Sequence, residues 1–302
     1  MQIEGFIHYL RYERGYSPCT LEAYATDLSQ FVEYVKAHRE GRFDPVEIDR
    51  DTVRSWIVFL MDEKQSPRTV GRKLSSLKSY FKFLRKLGII QQDPARLVRA
   101  PKCDKPLPCF VKDSDMAALL DSDLFGGDFK GVRNRLIMEL FYDTGVRRSE
   151  LVGIRKQDVD YEAMVIKVTG KRNKQRLIPF AERLKNLMVT YEKVRDNEVE
   201  RPSEWFFVRK DGKVLTAEAV YELVHKYLSA IPMLAKRSPH VLRHSFATSM
   251  LNNGAELAAV KDLLGHSSLA STSVYTHTTF EELKKVYHAH PRAKKEGGLY
   301  GD

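Results

Sequence analysis

Histidine and tyrosine side chains that could do acid–base chemistry are concentrated between residues 239 and 277, where four of the nine histidines lie. The histidines are His240, His244, His266 and His277, and Tyr275 lies just before the last of them. Such residues can bind a metal ion, move protons at a charged group, or simply pack in a core with their hydrogen bonds satisfied.

A helix explains the first part of this segment. Pro239 suits the first helical turn and Gly254 the end, which places His240, Arg243 and His244 on one face. The positions that face a core are then Leu242 and Phe246. The two histidines are spaced like zinc ligands, but a permanent cation lies between them and HVLRH contains no glutamate. We therefore predict no bound metal, and we expect Arg243 to face an anion.

Tyr275 could act as a nucleophile only with help. A tyrosine hydroxyl has a pKa near 10, so a neighbouring base and cations must favour the phenolate. Further along the chain, TGVRRSEL supplies Arg147 after a glycine turn, with Glu150 three residues on, and TGKRNKQR supplies Lys171. Taken alone, each histidine is equally well explained as a packed side chain, and Tyr275 is better explained as a packed aromatic than as a nucleophile.

The composition favours a polyanionic partner. The formal net charge is +10 and the isoelectric point is near 9.3, a balance that suits DNA or RNA. The three cysteines form no CxxC pair, which indicates a reducing compartment. The first residues, MQIEGFIHYLRYERG, are charged throughout, unlike a signal peptide, and no run of about 18 apolar residues occurs. We expect a cytoplasmic protein that spans no membrane.

A basic stripe lies on the best-defined helix of the first hundred residues. Ser66 can cap this helix, Pro67 suits its first turn and Gly88 its end. The expected core positions are Val70, Leu74, Leu77, Phe81 and Leu84. The stripe on the opposite side consists of Arg68, Arg72, Ser75, Ser79, Lys82 and Lys86. These residues all donate to phosphate oxygens, so the stripe predicts contact with DNA or RNA, although charged helix faces are often merely solvated.

The chain divides into two predicted domains. Residues 1–100 read as helices, and the proline-containing stretch at 101–112 reads as a linker. Residues 113–302 form a mainly helical second domain in which GVRNRLIMELFYDTG is a buried helix and AMVIKVTGKRNKQRLIPF is a β-hairpin. The helix TFEELKKVYHAH either closes its own domain or packs on a neighbouring protomer.

Taken in chain order, the motifs resemble those of the tyrosine recombinase family and, within it, the Xer recombinases. The resemblance covers essentially the whole chain and rests on TGVRRSEL, GKRNKQR, HVLRH, LGH and YTH, with VYHAHPRA similar to the end of Xer proteins. Arg148 departs from the pattern, because the family often has an apolar residue there. The resemblance implies a mainly α fold in which a SAM-like core-binding domain and a catalytic domain with a small β-hairpin or sheet clamp DNA.

The resemblance also implies a role for each candidate residue. Tyr275 is the nucleophile that forms a 3′-phosphotyrosine, Lys171 protonates the leaving 5′-oxygen, and His240 takes the phenol proton or orients the phosphate. Fixed cations must stabilise the phosphorane if no metal does so, and the donors are Arg147, Arg243 and His266. Glu150 positions Arg147, tunes His240, or is only a first-turn glutamate that favours the helix dipole. Lys174 and Arg176, in the same basic hairpin, are further expected DNA contacts.

No cofactor is expected, since the phosphotyrosyl bond conserves the energy of the bond broken and the chain has no P-loop motif. The implied partners are double-stranded DNA with a specific site, a homo- or hetero-tetramer with a paired recombinase on two duplexes joined as a Holliday junction, and a septal DNA translocase (FtsK-like). Chromosome dimer resolution is the expected role. The alternatives are a mobile-element or phage integrase, a DNA-relaxing topoisomerase, and a DNA-binding protein with an inactive site.

Overall fold

The computed structural model describes residues 2–103, 109–170, 173–265, 285–287 and 289–293. The chain forms two compact units, Met1–Pro106 and Leu107–Asp302, and the division falls within the stretch 101–112. In the part of the chain that is described, no helix combines the length and apolar character needed to cross a membrane.

The first unit is helical. Its helices within residues 2–103 are α1 (Gln2–Tyr12), α2 (Pro18–His38), α3 (Arg50–Asp62) and α4 (Pro67–Lys86). The Ser66 hydroxyl accepts a hydrogen bond from the backbone N–H of Thr69 at 3.2 Å, and Gly88 follows the helix in the left-handed region with φ +73°. The predicted start and end of α4 are confirmed, because a cap and a positive φ occur where the sequence provides them.

One face of α4 forms the centre of the first core. The five predicted core positions are all buried, each with at most 2% of its surface exposed. Around them pack aromatic side chains from the other helices, among them Phe6, Phe31 and Trp56, with the Phe31 and Trp56 rings edge to face at 5.0 Å. Full burial of such side chains stabilises a fold by roughly 1.5–3 kcal/mol each.

The second unit surrounds one buried helix. Its helices within the described residues are α5 (Asp113–Leu120), α6 (Phe129–Thr144), α7 (Arg148–Val152), α8 (Glu182–Glu198), α9 (Ala217–Leu228), α10 (Pro239–Asn252) and α11 (Leu257–Leu264). The predicted buried helix is α6, in which every residue from 136 to 144 is buried, and it packs against α8 and α10. Its last turn leads directly into the candidate site.

The hairpin is part of a small antiparallel sheet with the strand order β1 (Val159–Asp160), β2 (Val165–Thr169), β3 (Gln175–Pro179). The hairpin prediction is confirmed by β2 and β3, which pair Ile166 with Ile178 on the buried face. Strand β1 was not predicted, because two residues are too few to show an alternating pattern.

The end of the predicted linker, residues 101–112, belongs to the second unit. Val111 is only 2% exposed in the second core, and its backbone N–H donates to the Ser245 hydroxyl at 2.8 Å. Packed chain of this unit therefore begins before residue 113.

The described part of the C-terminal segment packs on its own unit. Tyr287, His290 and Ala293 are buried with Phe246 of α10. The Arg292 guanidinium lies 2.7 Å from the buried carboxylate of Glu139 on α6. Two alternatives were open for this segment, and residues 285–287 and 289–293 follow the first of them, because they pack on their own domain. The remainder of TFEELKKVYHAH lies outside the described residues.

His290 is a fully buried ionisable group of this segment. Its ring lies 5.0 Å from that of Tyr142 and 5.4 Å from that of Phe246, and its Nδ1 is 3.9 Å from the Asp143 carboxylate. Burial lowers the pKa of His290 to about 4; the Asp113 charge opposes this shift, and Arg292 adds to it. The folded protein therefore holds this imidazole neutral near pH 7.

We predict that His290 makes the second unit less stable as the pH falls. The unfolded chain takes up a proton near pH 6.5 and the folded chain only near pH 4, so the free energy of unfolding decreases across this interval. Between pH 7.5 and 5.0 the wild type should lose about 2 kcal/mol more than His290→Gln.

Urea unfolding in a Trp56→Phe background measures this, because Trp205 of the second unit is then the one tryptophan left to report. Equal pH dependence in the two proteins would show that the imidazole is not held neutral.

Candidate active site

The turn after α6 brings the first candidate cation into position. Gly145 has φ +59°, and a Cβ there would lie 2.6 Å from the Phe246 ring and 2.8 Å from Leu264. Only glycine fits this close, left-handed position. The chain then turns so that Arg147 is the N-terminal cap residue of α7.

The Glu150 carboxylate binds two arginines. Its Oε2 accepts from the backbone N–H of Arg147 at 2.8 Å, and its Oε1 accepts from Nη1 of Arg147 at 2.7 Å and from Nη1 of Arg176 at 2.6 Å. Burial raises the pKa of Glu150, but hydrogen bonding and charge from Arg176, together with hydrogen bonds from Arg147, outweigh it and lower the pKa. Glu150 thus holds Arg147 and also lies in the first turn of α7. The expected contact with Arg147 and the expected first-turn position therefore occur together in one arrangement.

Arg243 reaches the same place from α10. Its side chain is buried, and it donates from Nη1 to the carbonyl of Gly145 at 2.5 Å and from Nη2 to the carbonyl of Leu264 at 2.6 Å. Burial, then the charges of Arg147 and Arg176, lower the pKa of Arg243 to about 10, with Glu150 acting in the opposite direction. The guanidinium is therefore in an environment that favours an added negative charge.

Three guanidinium groups meet at the end of α11. Arg176 donates from Nε to the carbonyl of Leu263 at 3.1 Å, Arg243 binds that of Leu264, and Arg147 donates from Nη2 to that of Gly265 at 3.0 Å. The C-terminal end of a helix carries a partial negative charge, so cations are stabilised there. With a single carboxylate among them, these groups keep a net positive charge that suits a phosphate.

The histidines of α10 differ from Arg243 in exposure. His240 and His244 are exposed, whereas Leu242 and Phe246 are 0% and 1% exposed, as predicted for the core side of the helix. The structure thus places the imidazoles at the surface above a buried guanidinium.

Three predicted catalytic residues, Lys171, His266 and Tyr275, lie outside the described residues. The chain next to two of them is at the site. A Cβ on Gly170 would lie 3.0 Å from Oε1 of Glu150, and the carbonyl of Gly265 accepts from Arg147. Gly170 and Gly265, the residues that precede Lys171 and His266 in the sequence, therefore lie beside the arginine cluster.

The structure buries Arg176, which was expected to contact DNA. It is only 7% exposed, and its guanidinium is bound to Glu150 and to the carbonyl of Leu263; the DNA contact itself stays a prediction. A signal was present in the sequence: Arg176 lies two positions before Ile178 in a strand, and alternate residues share a face. Lys174 is exposed, in keeping with a surface role.

The basic stripe of α4 lies at the surface of the first unit, with Ser79 half-buried and the other five members exposed. One feature was not anticipated: Arg72 and Ser76 donate to the carboxylate of Asp27 on α2, which is 1% exposed, and Lys73 lies 3.5 Å from its other oxygen. Part of the charge of the stripe is thus balanced by an acid from another helix, so Arg72 is fixed in place.

Both units match family models. Residues 112–282 match the phage integrase family, and residues 3–88 match the N-terminal SAM-like domain of phage integrases. The matches correspond to the two compact units and include all the candidate catalytic residues.

Curated relatives are similar over nearly the whole chain. A tyrosine recombinase XerC of Psychromonas ingrahamii is 38% identical, with 97% of each chain covered. XerC of Chlorobaculum parvum is 37% identical over 96% of this chain and 94% of its own, and XerD of Oceanobacillus iheyensis is 34% identical over 96% and 98%.

Solved structures share the fold. An XerH recombinase bound to its difH substrate has a TM-score of 0.69 at 23% identity, covering 94% of this chain and 84% of its own. The Tn1549 transposon integrase in complex with transposon right end DNA has a TM-score of 0.69 at 20% identity, covering 94% and 98%. Fold, site and relatives together define a site-specific DNA recombinase. The chain belongs to the phage integrase family, among the Xer-type tyrosine recombinases.

We predict that Glu150→Gln strongly destabilises the second unit. Loss of the carboxylate leaves Arg147, Arg176 and Arg243 without their counter-charge, and removal of one partner from a buried ionic group typically costs about 3–5 kcal/mol. Urea unfolding in the Trp56→Phe background, followed by Trp205 fluorescence, measures the change.

Glu162→Gln is the matched control, because Glu162 is exposed in a turn of the same unit. Equal losses in the two variants would mean that the arginines do not depend on Glu150.

Proposed function

We propose that this recombinase cleaves DNA at a specific site by attack of the Tyr275 hydroxyl on a backbone phosphorus, which forms a 3′-phosphotyrosyl link and releases a 5′-hydroxyl. The observation that supports this best is the convergence of Arg147 and Arg243 on the successive carbonyls of Gly265 and Leu264. Two fixed cations from different helices are thus available at one point for one phosphate.

The charge of the transition state determines the roles. As the tyrosine oxygen adds, the phosphorane gains negative charge on its non-bridging oxygens, and Arg147 and Arg243 stabilise it by hydrogen bonds that strengthen with that charge. Loss of one such donor typically costs about 3–4 kcal/mol at the transition state. Arg147 keeps a third of its side chain exposed, so a phosphate can reach it.

Proton transfers complete the reaction. Lys171 protonates the leaving 5′-oxygen, His240 takes the proton of Tyr275 or orients the phosphate, and His266 donates a further hydrogen bond. His240 is exposed on α10, where DNA can approach it. No bound metal is needed in this scheme, because arginine side chains supply the positive charge.

The biological role we propose is resolution of chromosome dimers in the cytoplasm. The phosphotyrosyl bond stores the energy of the cleaved bond, so a second strand can attack it, and four protomers on two duplexes can pass through a Holliday junction. The names of the relatives, XerC and XerD, favour this role over that of a mobile-element integrase. A paired recombinase and a septal DNA translocase are the partners this role requires.

We predict that Tyr275→Phe binds DNA but forms no covalent adduct. The substrate is a nicked form of a duplex that wild-type protein captures covalently from a random-sequence library, and the adduct is measured on a denaturing gel. Tyr221→Phe is the matched control, because Tyr221 is an exposed tyrosine of the same unit.

An adduct of undiminished yield with Tyr275→Phe would assign the nucleophile to another residue. Cleavage by the wild type should continue in EDTA, and a strict requirement for a divalent metal would contradict the charge-stabilising role of the arginines. A topoisomerase would relax supercoils without joining two sites, and an inactive DNA-binding protein would form no adduct.

We also predict that the α4 stripe supplies phosphate contacts. Lys82→Gln should lower the slope of log affinity against log salt by about 0.9, the value for one lost phosphate contact. Lys36→Gln, at an exposed position on α2, is the control and should leave the slope unchanged. Fluorescence anisotropy at several salt concentrations measures both, and an unchanged slope with Lys82→Gln would indicate a merely solvated face.

A further inference from the structure

Arg176 is a buried cation to which the proposed mechanism assigns no step. It points inward from β3 and is 7% exposed. A Cβ on Gly265 would lie 3.0 Å from Cδ of Arg176, so the arginine side chain fills the space beside the turn after α11.

The guanidinium joins two elements that carry the site. Nη1 donates to Oε1 of Glu150 at 2.6 Å, and Nε donates to the carbonyl of Leu263 at 3.1 Å. The same Glu150 oxygen accepts from Arg147, and the carbonyls after that of Leu263 accept from Arg243 and Arg147. Arg176 is therefore bonded to the carboxylate that holds Arg147 and to the carbonyl next to the one that holds Arg243.

We propose that Arg176 is a positioning residue for strand cleavage. It holds the start of α7 and the end of α11 in a fixed relation, so that Arg147 and Arg243 meet one phosphate. This inference rests on the proposed function. It assigns Arg176 no contact with DNA.

The shape of arginine explains why this residue type is present. A guanidinium is planar and donates from Nε and from its two terminal nitrogens in fixed directions, whereas a lysine ammonium is a single point. A lysine at position 176 could bind Glu150 or the carbonyl of Leu263 but could not fix the angle between them.

The position of Arg176 carries an electrostatic cost. Arg176 places a third positive charge beside Arg147 and Arg243, where like charges repel. One carboxylate and three carbonyls offset this only in part. A neutral residue would remove the repulsion, but it would also leave Glu150 and Leu263 without the donor that joins them.

The test separates binding from chemistry. Arg176→Met and Arg176→Lys are compared with the wild type on the duplex obtained by covalent capture, by measuring the dissociation constant and the single-turnover cleavage rate at saturating DNA. We expect the cleavage rate to fall about 100-fold for Arg176→Met, the loss typical when reacting groups are misplaced by about 1 Å. The affinity for DNA should stay within about threefold of the wild type. Arg176→Lys should recover part of the rate. Arg155→Met, which removes a half-buried, ion-paired arginine of the same unit, should change neither value.

A double variant tests whether Arg176 acts through Glu150. If so, the double variant Glu150→Gln with Arg176→Met should cleave no more slowly than the slower single variant. If the two residues act independently, the factors by which the single variants lower the cleavage rate should multiply. Weaker binding with an unchanged rate at saturation would make Arg176 a DNA contact and overturn the proposal. If Arg176→Met does not fold, the rate of Arg176→Lys decides, and a wild-type rate refutes a positioning role. Absence of any adduct with the wild type would instead refute the proposed function.

Discussion

The cation site depends on the end of one short helix. The last carbonyls of α11 and the following glycine accept hydrogen bonds from three arginines that come from the α6–α7 turn, from β3 and from α10. Since these elements are distant in sequence, the site exists only when the core around α6 has packed. Glu150 then offsets enough positive charge for the arginines to remain close together.

The same contacts explain how the protein can keep cations ready for a phosphate. Hydrogen bonds to backbone carbonyls hold the guanidinium groups in position but do not cancel their charge, because a carbonyl is only a dipole. The burial of Arg243 makes its charge costly, and the neighbouring arginines add to that cost. Preorganised charge of this kind stabilises a transition state without further rearrangement.

Much of this arrangement could be predicted from the sequence, and the failures have physical causes. The bounds of α4 follow from Ser66, Pro67 and Gly88, which act through local backbone geometry. The burial of Arg176 was missed because a basic run in a hairpin looks like a surface charge; its alternation with Ile178 indicates burial, but its pairing with Glu150 depends on a contact across 26 positions. Asp27 was missed for the same reason, since its partner Arg72 lies 45 positions away. Contacts between distant residues leave no trace in local patterns.

The unfavourable position of Arg243 has a consequence for laboratory evolution. A protein that maintains repelling charges gives up part of its thermal resistance, so neutral replacements near the end of α11 would be enriched in any screen that rewards heat tolerance alone. The survivors of such a screen would be sturdier proteins without the charges that we propose for strand cleavage. Selection for durability in this fold must therefore be coupled to a selection for turnover.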